Sequence, residues 1–317
     1  MTARVVTLGE TMALVSVPAD GLVRGPAPIG LGGAESNVAI GLARLGTPVT
    51  WMSRLGDDGL GAYVRREIRA EGVTVLAAAD PDAPTGLMVK ELRHGTPSRV
   101  RYYRSGSAAS RLTPDDIPDE LIAAADVLHV TGITPALGPG PRKTVEHAVE
   151  VARAAGTLVS LDVNHRRTLW TDDEARSVLT TLLPSVDLLF AGVEEATMLL
   201  GSPGPQRDES ELGAALASSG PATVVIKLGE RGALAVSAGE LVRAEASPRV
   251  VVDPVGAGDA FVAGYLSALC DGGDVSHCLA TGNRAGGQVV TVPGDWEGLP
   301  FAADLTPQAA FADEVIR

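Results

Sequence analysis

The chain has 317 residues; 26 Lys and Arg against 39 Asp and Glu give a formal net charge of −13. With 45% hydrophobic and 21% charged residues it lies outside the disordered class. An acid surplus with only 3% aromatics argues against nucleic-acid binding, which needs cations for phosphates and rings for bases. No apolar run is long enough to span a membrane, and MTARVVTLGE lacks a signal-peptide core. Two cysteines make no disulfide framework, so a cytoplasmic protein with reduced thiols is expected.

Short apolar runs alternate with helical patterns along the chain. Val5–Leu8 reads as a buried strand. Residues 34–46 read as a helix with Val38, Leu42 and Leu45 on one face and Gly46 as its stop. A strand over 49–53 and a helix over 57–71, started by Asp, follow. Further buried strands are expected at 127–130, 158–162, 186–190 and 224–228, with helices over 141–155, 173–183 and 208–219 between them. This alternation predicts an α/β fold, a mostly parallel sheet covered on both faces.

Two stretches, 12–29 and 84–104, carry β-type patterns with no helix between them. Residues 86–92 and 98–104 read as a hairpin turning at 94–97. Antiparallel pieces set into a parallel frame suggest a small β lid on one domain spanning 1–317, with 202–208 the most linker-like segment.

The sharpest motif is Asp253-Pro254-Val255-Gly256-Ala257-Gly258-Asp259-Ala260-Phe261, after strand-like residues 249–252 and before a helix over 260–271. A Gly-Ala-Gly turn opening a helix presents free N–H groups and a positive dipole end to an anion. Asp259 would repel a phosphate unless it takes the proton from a hydroxyl attacking that phosphate. The competing reading of Asp259 is a plain helix cap.

DPVGAGDAF closely resembles the C-terminal signature of the PfkB, or ribokinase-like, carbohydrate kinases. Gly32-Gly33-Ala34-Glu35-Ser36-Asn37, followed by Ala39, Leu42, Ala43, Leu45 and Gly46, is similar to their N-terminal signature. The resemblance covers essentially the whole chain. It implies a three-layer sandwich with a small β-sheet lid and an enzyme using ATP and Mg²⁺. By the same resemblance Asp259 is the catalytic base, and Gly256, Ala257 and Gly258 form the anion hole. Gly33 and Asn37 contact the sugar. Lys227, Gly229 and Gly232 belong to the strand and turn holding the nucleotide, and Asn283 lies near the adenine. Asn283 also reads as an exposed helix residue on 276–290. The chain departs from the family where Gly192 replaces an Asn three residues before Glu195. Glu195 or Glu194 would then organise hydrated magnesium through water, or be a solvated helix carboxylate.

Residues 98–111 hold four arginines, 99, 101, 104 and 111, and no acid. Arginine suits bidentate grip of a carboxylate, although charge also blunts strand edges. Tyr103 and Arg104 fall on opposite faces of a regular strand, so both reach one ligand only where the strand ends or bulges. Tyr-Tyr-Arg before Ser-Gly-Ser-Ala, Asp162-Val163-Asn164-His165-Arg166, and Gly294-Asp295-Trp296-Glu297-Gly298-Leu299-Pro300 all resemble the 2-keto-3-deoxygluconate kinase branch. In that branch the positions of Tyr103, Arg104 and Arg166 hold the acid sugar, with Asp295 near it and Asn164 and Arg166 near the nucleotide. Met88 stands where some members have Tyr. The resemblance implies phosphorylation of the 6-hydroxyl of 2-keto-3-deoxygluconate or its galactonate epimer. The expected ligands are an acid sugar and ATP, and the exposed lid edge suggests a homo-oligomer.

Rival readings are a kinase for fructose or ribose and a non-catalytic sugar-sensing module. A dinucleotide enzyme is disfavoured because no GxGxxG follows the first strand. Gly138 to Thr144 resembles a phosphate loop, but Arg142 stands where Walker A needs Gly, so it reads as a loop entering a helix. Five histidines without metal-ligand spacing make a zinc site unlikely to form, and Cys270 and Cys278 are expected to pack on helices.

Overall fold

The computed structural model describes residues 4–19, 26–93, 96–201 and 207–305. Its strands are β1 (Val5–Leu8), β2 (Met12–Pro18), β3 (Ile29–Gly32), β4 (Val49–Gly56), β5 (Thr74–Asp80), β6 (Leu87–Arg93), β7 (Thr96–Tyr103), β8 (Val127–Thr131), β9 (Leu158–Asp162), β10 (Leu188–Gly192), β11 (Thr223–Lys227), β12 (Ala233–Ser237) and β13 (Glu240–Ala244). Nine of them form one sheet in the order β13-β12-β11-β10-β9-β8-β1-β4-β5. All its pairs are parallel except β11 with β12 and β12 with β13.

The central strands are apolar on both faces because both are covered. Val5, Val127, Phe190 and Val225 enter one core with the helices Ala34–Arg44, Gly59–Ala70, Ala257–Cys270 and Val275–Val289. Their neighbours Val6, Leu128, Leu189 and Val224 enter the other with Pro139–Ala155, Asp172–Leu182, Val193–Leu200 and Glu209–Ala217. With so few aromatics, one exception anchors the first core: Phe190 meets Tyr265 edge-on at 5.1 Å between ring centres. Gly41 lets the Ala34–Arg44 helix press against Ala263, where a side chain would collide. The expected three layers are present. No helix among the described residues is long and apolar enough to cross a membrane.

The remaining strands form a second sheet, β3-β2-β6-β7, as the lid pattern predicts. Among the described residues its own apolar core is Met12, Leu14 and Met88, with Val100 packed against them. Asp58 caps the Gly59–Ala70 helix through Gly61 N (2.7 Å) and also accepts from Thr85 N (2.8 Å), tying the start of the lid to the frame.

Residues 249–252 are not a strand. Val252 N and Asp253 N both donate to Val290 O at the end of a helix, and β13 takes the sheet edge instead. Val250 and Val251 are left 81% and 60% exposed. The hairpin of β12 and β13, and β5, lack strong alternation and were not expected. Gly138 is the loop residue that enters a helix beginning at Pro139, so residues 139–144 are already helical. Most of segment 202–208, and His94 and Gly95 of the lid turn, lie outside the described residues.

Candidate active site

Asp259 sits in the first turn of the Ala257–Cys270 helix, 7% exposed. Gly256 precedes that helix with φ +78, a left-handed conformation suited to glycine. A side chain there would also strike the backbone carbonyl of Asp295. Helix geometry leaves the first-turn N–H groups without helical acceptors, so Gly256 to Gly258 stand at the positive end of the helix dipole.

Asn37 Nδ2 donates to Asp259 Oδ2 at 2.8 Å, and Asn164 Nδ2 approaches Oδ1 at 3.4 Å. Asn164 lies two residues beyond β9 at φ +37, a conformation Asn tolerates better than most residues. Burial pushes the Asp259 carboxyl up to about 7, with Asn37, Arg166 and Lys227 opposing the rise and Asp162 adding to it. A carboxyl titrating there is matched to accepting a proton near neutral pH.

Lys227, ending β11, binds both oxygens of Asp162, ending β9, at 2.7 and 2.9 Å. Burial disfavours its charge, but Asp162, Glu195 and Asp259 outweigh that and raise its pKa. A side chain at Gly258 would stand 3.6 Å from Lys227 Nζ, so the ammonium overlooks the turn. These residues line a cavity of about 700 Å³ that also takes in Asn164, Arg166, Glu194 and Glu195. Arg166 is exposed, and its guanidinium has no hydrogen-bond partner among the described residues.

A second cavity of about 630 Å³ shares Lys227, Ala257 and Gly258 with the first, and adds Gly229, Gly232 and Asn283. Asn283 is 9% exposed and donates to Ala244 O at 2.8 Å, so it is no solvated helix residue. The paired cavities give room for an elongated ligand with an anionic middle at the glycine turn.

Glu195 lines the first cavity. One carboxylate oxygen accepts from Gly192 N (2.6 Å) and caps the Val193–Leu200 helix, while the other accepts from His165 N (2.8 Å) and ties the segment after β9 to that helix. No group of three or more His, Cys, Asp or Glu suited to a metal occurs among the described residues.

On the lid side, β7 ends at Tyr103, the break that Tyr103 and Arg104 needed to share a ligand. Tyr103 is nevertheless 61% exposed and lines neither cavity. Arg104 pairs with the buried Glu10 through Nε (2.6 Å) and Nη2 (2.5 Å), and Ser107 Oγ donates to the other Glu10 oxygen (2.5 Å). Arg101 and Arg111 pair with Glu91 and Asp80. Three of the four arginines of the acid-free stretch are thus paired with acids from other elements.

The sequence matches the pattern of the pfkB family carbohydrate kinases over residues 2–302. The chain belongs to that family. It is 38% identical over 309 residues to the 2-dehydro-3-deoxygluconokinase of Bacillus subtilis (strain 168), covering 95% of this chain and 93% of that one. It is 36% identical over 299 residues to the 2-dehydro-3-deoxygalactonokinase of Haloferax volcanii, covering 93% of each. The solved structure of 2-dehydro-3-deoxygluconokinase from Thermotoga maritima superposes with a TM-score of 0.84 at 28% identity, covering 96% of this chain and 97% of that one. The fold is therefore ribokinase-like.

The kinase brings Asp259, Asn37, Asn164, Arg166, Lys227 and the glycine turn together, with Gly229, Gly232 and Asn283 alongside. Gly33, Met88, Arg104 and Asp295 lie under the lid instead. A side chain at Gly33 would strike Glu10 O, and one at Gly32 would strike Met88 and Asp295. Sequence reading gave no role to Glu10, Glu35, Lys90, Asp162 or Asp253. Glu35, wholly buried, accepts from Thr131 and Thr134 at 2.7 Å each. Burial raises its pKa, and it packs on Gly9 as a buttress. Period-2 alternation places Lys90 on the face of Met88, a signal available from sequence alone.

Proposed function

We propose that this kinase transfers the γ-phosphoryl group of ATP to the 6-hydroxyl of 2-keto-3-deoxygluconate or its galactonate epimer. The observation that carries the reading is a buried carboxyl, Asp259, with its pKa near 7 at the mouth of an anion-binding glycine turn. The 6-hydroxyl oxygen attacks the γ-phosphorus, its proton passes to Asp259, and the bond from phosphorus to the β,γ-bridging oxygen breaks to leave ADP. Asn37 fixes the carboxylate by a 2.8 Å bond and keeps its own buried Oδ1 free for a sugar hydroxyl. The N–H groups of Gly256 to Gly258 and Lys227 meet charge developing on the phosphoryl oxygens. Gly229, Gly232 and Asn283 hold the nucleoside end.

Magnesium would neutralise phosphate charge. Its habit of keeping several waters suits a wall whose acids, besides the base Asp259 and the Asp162 committed to Lys227, are Glu194 and Glu195. Arg166, free of partners, would orient the sugar carboxylate. Arg104, Tyr103, Met88, Gly33 and Asp295 would shape the sugar pocket once the lid is down. The free, buried Cys270 and Cys278, with thiols pushed up to about 11 and 12 by burial, fit a reducing cytoplasm.

One observation favours a second reading. Arg104 is already neutralised by Glu10, leaving Arg166 as the main cation for an acid sugar. A neutral sugar such as fructose or ribose would then suffice as substrate. A coupled ADP-release assay over both acid-sugar epimers, 5-keto-2-deoxygluconate, fructose and ribose decides between them. Acid-sugar kcat/KM well above the neutral sugars is expected; the reverse order overturns the first reading.

A further inference from the structure

The lid meets the frame at one buried cation that the chemistry above does not use. Lys90 lies on β6 and is 4% exposed. Its Nζ donates to Asp295 Oδ1 at 2.9 Å and to Asp253 Oδ2 at 3.3 Å. Asp253, 1% exposed, opens the glycine-turn motif: its Oδ1 accepts from Val255 N (3.1 Å) and its Oδ2 from Gly294 N (3.3 Å). Asp295 in turn presses its backbone carbonyl onto Gly256. A single ammonium therefore joins a lid strand, the first residue of the anion-binding turn and the segment backing that turn.

The physical logic is one-sided. The lid has too small an apolar core to hold itself down, and burying an unpaired lysine is costly. Lys90 is stable in this place only while both carboxylates are in reach, that is, with the lid seated on the frame. Conversely, without the ammonium two buried carboxylates would face each other behind the site meant for a phosphate. Burial works against the Lys90 charge, but Asp295 and Asp253 more than offset it and raise its pKa.

We propose that Lys90 is a positioning residue that couples seating of the lid to the shape of the Gly256–Gly258 turn. The inference rests on the reading of that turn as the phosphate site. It follows that the lid responds to nucleotide even before any sugar is bound.

The test compares the wild-type protein with Lys90→Met and Lys90→Arg. In wild type, ADP should slow hydrogen exchange both at 253–258 and at the lid strand 87–92. In Lys90→Met the turn should still slow while the lid does not, and Lys90→Arg should restore the lid response. In turnover assays Lys90→Met should lower kcat at least about 10-fold with little change in KM for ATP, since misplacement acts on the transferred group. Lys90→Arg should recover most of the loss. Unchanged exchange of β8 to β10 verifies that a variant is folded.

A lid that slows with ADP equally in Lys90→Met and wild type overturns the coupling. So does a folded Lys90→Arg as defective as Lys90→Met. Full kcat in Lys90→Met sinks the coupling and leaves the reaction standing. A wild-type protein that phosphorylates no acid sugar sinks the proposed substrate, while the exchange measurement still judges Lys90.

Discussion

The frame and the lid are stabilised in different ways. The nine-stranded frame holds two aliphatic cores, one on each face of its sheet. Among the described residues the four-stranded lid has a separate apolar cluster of only Met12, Leu14 and Met88; Leu31 joins the frame's core, and polar contacts add to the hold: Thr85 with Asp58, Arg104 with Glu10, and Lys90 with Asp253 and Asp295. The proposed phosphoryl-transfer groups stand on the frame, whose packing fixes them; of the groups proposed to recognise the sugar, Asn37 and Arg166 also stand on the frame, while Met88, Tyr103 and Arg104 belong to the lid. Close packing gives a unique geometry, while a polar clasp gives an element that can open.

This division makes separable predictions. The largest effect belongs to the frame. Asp259→Asn should lower kcat at least about 10²-fold for every accepted sugar, since general-base assistance contributes about 10²–10⁴. Near-normal kcat in a coupled assay removes Asp259 as the base. Arg166→Ala should reduce acid-sugar kcat/KM by about 10–100-fold, the worth of a charge-assisted contact, with neutral-sugar turnover and ATP binding little changed. A loss confined to the KM for ATP would assign Arg166 to the nucleotide instead.

Glu10→Gln tests the lid side. It leaves Arg104 with a neutral partner, so acid-sugar kcat/KM should change by about 10-fold while the KM for ATP holds. An equal loss across all sugars would show that Glu10 merely supports the fold, and would blur the line between frame and lid.

The smallest effect is on stability. The folded pKa of Asp259, about 7, is raised above its ordinary 3.8. Folding therefore favours the protonated form, and the wild type loses stability as pH rises from about 4 to about 7. Asp259→Asn has no such loss, so its melting temperature should exceed wild type by a few degrees at pH 8, with the gain vanishing near pH 4. The same titration should make wild-type kcat/KM rise with pH up to about 7 and then level. A mutant no more stable at pH 8 than at pH 4, relative to wild type, would contradict the raised pKa.

The frame was readable because its signals are local. Buried strands announce themselves as apolar runs, and the glycine turn with its Asp is contiguous in the chain. The failures came where a partner is remote. Glu10 and Arg104 stand 94 residues apart, and Lys90 reaches partners 163 and 205 residues away, so arginines without a nearby acid looked free. Residues 249–252 have strand composition, but Val252 N finds the carbonyl of Val290 at a helix end, not a sheet edge, as its acceptor. The bond from His165 N to Glu195 likewise joins residues 30 apart, and no local pattern announces it.

The contact between Gly41 and Ala263 has a consequence during synthesis. The helix Ala34–Arg44 is made early, yet Val38, Ile40 and Leu42 belong to the same core as residues from Ala257–Cys270 and Val275–Val289. At ordinary translation speeds those late helices emerge roughly 10–40 s afterwards. Throughout that interval the Gly41 side of the helix, which Ala263 later covers, stays bare on the ribosome.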